Sequence, residues 1–478
     1  MNLRMIKYTL GWLLMFEAGF FLVPIITAAA YREREIIHFA LAMAICAAVA
    51  ALMLIGKPKT RTMYAREGFI IVALSWILLS IFGSLPFMFT GVTTSFVDAL
   101  FETVSGFTTT GASILPAVED LPRCILMWRS FTHWVGGMGV LVFMMAFLPL
   151  GGAKNMHIMK AESPGPSVSK LVPHVRTTAL ILYSIYFILT VIQFILLLCG
   201  GMSVFEALNT AFATAGTGGF GVKNDSMASY SSYLQIVVTV FMLLFSLNFS
   251  AYYLAFKCRF KDAFNSEIRA FLCIVAVAIA LVTFNIRDMF STVGEALKHS
   301  AFTVASLIST TGFSTTDFAA WPAFAITVML LVMFVGACAG STGGGIKVSR
   351  IIILFKGVIK EIKSLLHPRR VNKITMDSRP VEPDVVRGVN SYIVFYVLLF
   401  ASSVLILSVE NYDFLTTFSA VTATINNVGP GMSMVGPMCN FVFLSPLSKM
   451  VLIFDMLAGR LELFPMLLLF APSTWKNK

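Results

Sequence analysis

Charge is scarce in this chain. Only 12% of its 478 residues are Asp, Glu, Lys or Arg, against 58% hydrophobic, and the mean hydropathy is +0.84. A soluble enzyme cannot cover its surface with so little charge, so that class is excluded. Cysteine is sparse too. Seven residues (46, 124, 199, 258, 273, 338 and 439) form no CxxC pair and no Cys/His cluster, so neither a zinc site nor a disulfide framework is indicated. The HExxH signature of a metalloprotease is absent and the six histidines are dispersed, which leaves a membrane-embedded enzyme without convergent catalytic groups. Two glycine-rich stretches imitate nucleotide motifs. Gly216 to Gly221 satisfies GxGxxG, but it lacks the strand before and the opening helix after that the dinucleotide fingerprint requires. Gly340 to Lys347 is close to a phosphate loop, but Ile346 separates the last Gly from the Lys, and Val348 stands where Ser or Thr is needed. The largest polar stretch, about 357–387, is too short for a nucleotide-binding domain. ATP-driven pumping by this chain alone is therefore not expected, nor is a cofactor within it.

What the chain has is long apolar runs. A membrane-spanning helix needs about 20 apolar residues, and ten candidates occur, at roughly 6–30, 36–56, 69–91, 124–150, 176–202, 232–257, 268–286, 321–356, 388–409 and 444–470. The net charge of +11 is distributed by topology, not as a nucleic-acid surface. Loops 57–68, 151–177, 256–269 and 347–387 hold 22 Lys/Arg against 8 acids, whereas 91–123, 203–231, 285–320 and 410–449 hold 5 against 11. This positive-inside asymmetry predicts a multi-pass protein of the cytoplasmic membrane with both termini in the cytoplasm. The basic loops suit anionic lipid or a cytosolic partner.

After two N-terminal spans, one plan repeats four times: apolar span, short amphipathic helix, glycine turn, apolar span. The short helices fall at about 95–107, 203–214, 293–308 and 413–425, each with an acid near its start (Asp98 and Glu102, Glu206, Glu295, Asp413). They are too short to cross a bilayer, so re-entrant helices are predicted, with the negative ends of their dipoles pointing inward. The expected fold is an all-α polytopic membrane protein, four pseudo-repeats around one central pore. Its units are 1–66 (two-span N-terminal domain), 67–150, 151–257, 258–356 and 357–478 (basic linker plus fourth repeat). The turns are Thr109-Thr110-Gly111, Gly216-Thr217-Gly218, Thr310-Thr311-Gly312 and Asn427-Val428-Gly429. Irregular backbone survives in a membrane only when buried or lining a watery path. Four such turns suit a ring of carbonyls replacing the water around a monovalent cation. Glu119, Asp120, Asp225 and Asp317 follow the turns and either attract cations or are simply solvated.

The stretch Ser105–Ser113 resembles the first filter loop of the Trk/Ktr/HKT superfamily of potassium transporters. So do Thr217–Phe220, Ser309–Asp317 and Asn426–Gly431 in the later repeats, and Trp134–Gly139, Gly336–Lys347 and Gly459–Glu462 between them. The two extra N-terminal spans resemble the TrkH/TrkG branch rather than the shorter KtrB branch. The resemblance implies potassium as the transported ion, bound at the twelve turn residues named above. In the family, Ser for the first-loop Gly accompanies sodium preference, and here all four positions read as Gly. It also implies a homodimer and a separate cytosolic TrkA-like regulatory subunit that binds NAD or ATP.

Within 321–356, glycines at 336, 340, 343, 344 and 345 are dense enough to unwind a helix, at about 1 kcal/mol each relative to Ala. The break should lie beneath the third turn. The resemblance implies a gating loop there; Gly336-xxx-Gly340 also fits a close helix–helix packing face. Lys347 ends the break, as a further barrier or an interface anchor. Arg460, inside the last span, needs a pore or a partner. The resemblance places it in the conduction path against the gating loop; an ion pair with Glu462 is the alternative. The expected function is gated, channel-like potassium uptake. Proton- or sodium-coupled symport is the alternative, with Glu17, His133, Asp455 and Glu462 as the few intramembrane candidates for coupling.

Overall fold

The computed structural model describes residues 2–56, 58, 65–139, 175–368, 372–377 and 379–475. Most of loop 57–68, the 124–150 span beyond Gly139 and the 151–177 loop up to 174 lie outside the described residues. The described chain is predominantly helical. Its strands are the two-residue pairs Thr375–Met376 and Arg379–Pro380, which form a small antiparallel hairpin in the basic segment.

Helices Leu3–Phe20 and Leu22–Tyr31 make one run that packs against Ile36–Leu54. Their outward residues are apolar and bare: Ile26 is 66% exposed and Ile37 70%. Apolar exposure of this kind fits a lipid solvent rather than water.

Four units of one design follow. Each has a first helix, a short second helix, a turn and a third helix. The first helices are Ala65–Gly83, Val175–Cys199, Ser266–Ile286 and Pro383–Leu407. The short helices are Phe96–Phe107, Val204–Gly216, Val293–Ile308 and Phe414–Ile425. At 1.5 Å per residue they reach roughly 18–24 Å, short of a full crossing. Three are started by side-chain caps. Ser203, Thr292 and Asp413 accept the backbone N–H of Glu206, Glu295 and Thr416, and Glu206 closes a capping box. The first is anchored by ion pairs instead: Asp98 to Lys449 at 2.7 Å, and Glu102 to Arg129 at 2.8 Å.

Among the described residues, six helices are long and apolar enough to cross a membrane unbroken, or seven if one bent pair is counted, against the ten apolar runs of the sequence. Breaks in three of the third helices account for most of the difference. In the second unit, Ser232–Phe245 and Phe249–Phe256 meet at 90°. In the third, Ala323–Val335 and Val348–Leu366 are separated by an irregular stretch. In the fourth, Pro446–Arg460 and Phe464–Phe470 are parted at Glu462 and Leu463, both with positive φ. The runs 232–257 and 444–470 are therefore not continuous helices, contrary to the sequence reading. Arg123–Gly137 is the third helix of the first unit.

Candidate ion pathway

Each short helix ends in the same backbone sequence. A left-handed residue comes first: Thr109 (φ +55°), Thr217 (+56°), Thr310 (+60°) and Asn427 (+55°). One residue follows, and then a glycine with positive φ: Gly111 (+83°), Gly219 (+78°), Gly312 (+83°) and Gly429 (+101°). This corrects the register expected for the second turn. Gly216 belongs to the helix, Gly218 is the middle residue, and Gly219 is the counterpart of Gly111.

The four turns close on one another. A Cβ added to Gly111 would overlap the carbonyl oxygen of Gly218. One on Gly219 would overlap that of Thr311, and one on Gly312 that of Val428. One on Gly429 would meet that of Thr110 at 2.6 Å, which completes the circle. First to second, second to third, third to fourth and fourth to first, the turns form a single ring. Glycine is required at each junction twice over, because a side chain would clash and because φ is in the region L-residues resist.

Gly111, Gly219, Gly312 and Gly429 all open onto one cavity, whose wall also includes Arg129, Lys223, Asn224 and Ser226. The acids that follow the turns are engaged locally. Glu119 accepts the Asn224 N–H at 2.9 Å, Asp225 accepts the Ser229 hydroxyl at 3.4 Å, and Asp317 accepts the Ala319 N–H at 3.1 Å; Asp120 is exposed.

On the other side of the ring lies the irregular stretch 336–347. Gly336, Gly340, Gly345 and Lys347 all have positive φ. Two of its hydrogen bonds go to the turns themselves: Gly344 N–H to the Thr310 hydroxyl (2.6 Å) and Gly345 N–H to the Asn426 carbonyl (3.1 Å). Gly343 and Gly344 press so closely on Ser309 and Asn426 that a Cβ on either would collide. The glycines thus serve contact with the turns, beyond the Gly336/Gly340 packing pattern. Lys347 is buried and its ammonium donates to the Gly343 carbonyl.

Arg460 ties this stretch to the first unit. It donates to the Thr342 carbonyl (2.7 Å) and to the carbonyls of Gly136 and Gly137 (both 2.6 Å). Glu462 is paired with Arg350 instead, so the expected alternative of an Arg460–Glu462 pair is overturned. Arg350 starts the helix after the break, whereas Glu462 has left the helical path of Arg460. Asp455 accepts the Ser403 hydroxyl at 2.8 Å.

Several participants were missed in the sequence. The bend at 246–248 docks on the irregular stretch: Cys338 N–H donates to the Ser246 carbonyl (3.1 Å) and Phe249 N–H to the Gly340 carbonyl (3.0 Å). Asn248 caps the helix after the bend, and its polar side chain within an apolar run was the available signal. Glu267 accepts from the N–H groups of Ala339 (2.7 Å), within the break, and Ser349 (3.1 Å), in the helix just after it; it sits at a helix start and reads as an ordinary first-turn acid.

A predominantly helical body with an apolar outside, built around one closed ring of turns, defines a polytopic membrane protein. The TrkH family, described as a cation transport protein, matches residues 35–477. The Trk system potassium uptake protein TrkH of Escherichia coli K12 is 34% identical, with all of both chains covered. TrkG of the same organism is 33% identical over 100% of this chain and 99% of its own. The crystal structure of the potassium transporter TrkH from Vibrio parahaemolyticus superposes with a TM-score of 0.90 at 33% identity, with full coverage of both chains. The chain belongs to the TrkH family, a family of transporters and not of enzymes.

Proposed function

We propose that this chain takes up potassium across the cytoplasmic membrane of a bacterium, through the ring of four turns acting as a selectivity filter. The observation that carries the reading is the closed circle of glycine-to-carbonyl junctions. Carbonyls of Thr109/Thr110, Thr217/Gly218, Thr310/Thr311 and Asn427/Val428 replace part of the ion's hydration shell. The C-terminal ends of four short helices add partial negative charge at the same place. The names of the relatives support potassium as the ion.

The stretch 336–347 is the gate in this reading. It abuts the inner side of the ring, and its bonds to Thr310, Asn426 and Arg460 hold it across the pathway. Arg460 supplies a positive charge that opposes cation passage when the stretch is closed, and Lys347 adds a second. Opening needs those bonds to be exchanged for water. The charge asymmetry of the loops supports cytoplasmic termini. A homodimer and a cytosolic, NAD- or ATP-binding TrkA-like subunit complete the reading. The helix Val348–Leu366, with Phe355, Ile362 and Leu365 exposed among Lys356, Lys360 and Lys363, offers a surface for them.

A coupled symport is the second reading. Glu17 and Asp455 favour it, because each is buried with one carboxylate oxygen that has no partner. His133 has both ring nitrogens engaged and Glu462 is paired. Rubidium uptake into cells deprived of their own potassium transporters tests the main reading. Uptake competed by potassium supports it; uptake that vanishes in Glu17→Gln or Asp455→Asn, with the protein still present, supports coupling.

A further inference from the structure

The four turns differ at their middle position. Thr110 and Thr311 turn their hydroxyls back to Thr108 (2.8 Å) and Ser309 (2.6 Å), and Val428 is buried. The second turn has Gly218, which brings no side chain. The missing volume is filled from elsewhere: a Cβ on Gly218 would overlap the ring of His133, which is carried by helix Arg123–Gly137 of the first unit.

That imidazole is held at both ends. Its Nδ1 lies 2.7 Å from the Gly106 carbonyl, and its Nε2 accepts the Phe220 backbone N–H at 3.2 Å. A carbonyl only accepts and an N–H only donates, so the ring is neutral with its proton on Nδ1. Four residues earlier on the same helix face, Arg129 pairs with Glu102 (2.8 Å) and reaches the Gly221 carbonyl (3.4 Å) and the Ser113 hydroxyl (3.3 Å). Both side chains meet the ring of Phe220: the guanidinium carbon is 4.1 Å from its centroid and the imidazole centroid 4.2 Å. Phe220 follows Gly219 directly, so whatever fixes Phe220 fixes the second turn. Two of the other three seams are held by plainer bonds. Met227 N–H donates to the Ser314 carbonyl at 2.9 Å between the second and third, and the Asn427 amide donates to the Thr110 hydroxyl at 3.0 Å between the fourth and first.

We propose that Arg129 and His133 are positioning residues for ion discrimination, acting by clamping Phe220 so that the Gly218 carbonyl keeps its place in the ring. The inference rests on the ring being a selectivity filter. Neither residue need touch the ion. Small displacements of one carbonyl set change the relative fit of potassium and sodium, so loosening the clamp lowers selectivity before it lowers flux.

The test is the potassium-to-sodium permeability ratio of purified full-length variants in liposomes, a quantity independent of how much protein inserts. His133→Leu, Arg129→Lys and Phe220→Leu should each lower the ratio roughly tenfold, the scale of one lost buried hydrogen bond or ring contact. His133→Gln, which keeps an acceptor within reach of the Phe220 N–H, should recover part of it. Phe220→Leu leaves the polar network intact and decides the matter if the other variants do not accumulate. A ratio within about twofold of the parent in Phe220→Leu, at normal rubidium flux, overturns the clamp while leaving the filter reading in place. A parent protein that itself fails to discriminate overturns the filter reading, and the clamp with it.

Discussion

The carbonyl oxygen of Thr311 lies against the α-carbon of Gly219, with no space between them for a methyl group. The same contact recurs between three further pairs and so defines the ring. It also settles which glycine of Gly216, Gly218 and Gly219 closes the second turn, since Gly219 alone of the three combines positive φ with the neighbour's carbonyl.

Gly219→Ala should therefore disable the pathway. The left-handed backbone costs an alanine about 1–2 kcal/mol, and the overlap with Thr311 forces the turn apart as well. Rubidium flux should fall at least about tenfold, as 1.4 kcal/mol already implies. Gly388→Ala is the control: it lies in a helix with nothing within 4 Å of an added Cβ. It should leave flux unchanged and add a few tenths to about 1 kcal/mol of stability.

Arg460→Gln should raise basal flux. The arginine donates to three carbonyls that hold the irregular stretch against the first unit. Hydrogen bonds from a charged donor are worth about 1.5–3 kcal/mol, so flux per molecule should rise by about one order of magnitude or more. Flux normalised to inserted protein is the measurement; unchanged normalised flux with lower yield would assign Arg460 to folding alone.

Thr310 links the ring to the stretch beneath it, through its hydroxyl and the Gly344 N–H. Thr310→Val removes the acceptor at nearly constant volume, and Thr310→Ser keeps it. The valine variant should leak more, by roughly the fivefold that 1 kcal/mol allows, and the serine variant should match the parent. Equal flux in the two would remove this bond from gating.

The plan of the fold was legible in the sequence because its signals are local. Apolar runs, caps such as Ser203 and Asp413, and glycine turns each announce themselves within a few residues. The break at 336–347 was legible for the same reason. Less legible were features that depend on a distant partner. Nothing near Gly218 shows that His133, 85 positions earlier by numbering, fills its side-chain space, and the second turn was read one residue out of register. The bend at 246–248 is stabilised by the Cys338 N–H and by Gly340, so it looks like uninterrupted helix in its own stretch. Glu462 is adjacent in sequence to the Arg460 region but points to Arg350, because the chain reverses φ at Glu462 and Leu463.

Arg350 and Glu462 join the helix after the third break to the turn at the fourth. Both are largely buried, with side chains 6% and 20% exposed. Removing one partner strands the other, at a cost of about 3 kcal/mol or more for a buried pair. Glu462→Gln should lower the melting temperature in detergent, and the exchange Arg350→Glu with Glu462→Arg should restore part of it. A single variant as stable as the parent would mean the pair is solvated in the working protein.

Rubidium and sodium flux into liposomes holding this protein alone, driven by an imposed membrane potential, tests the central claim most directly. The expected result is rubidium entry that potassium competes and that largely excludes sodium. Equal rubidium and sodium entry would contradict the reading of the four-turn ring as a potassium filter.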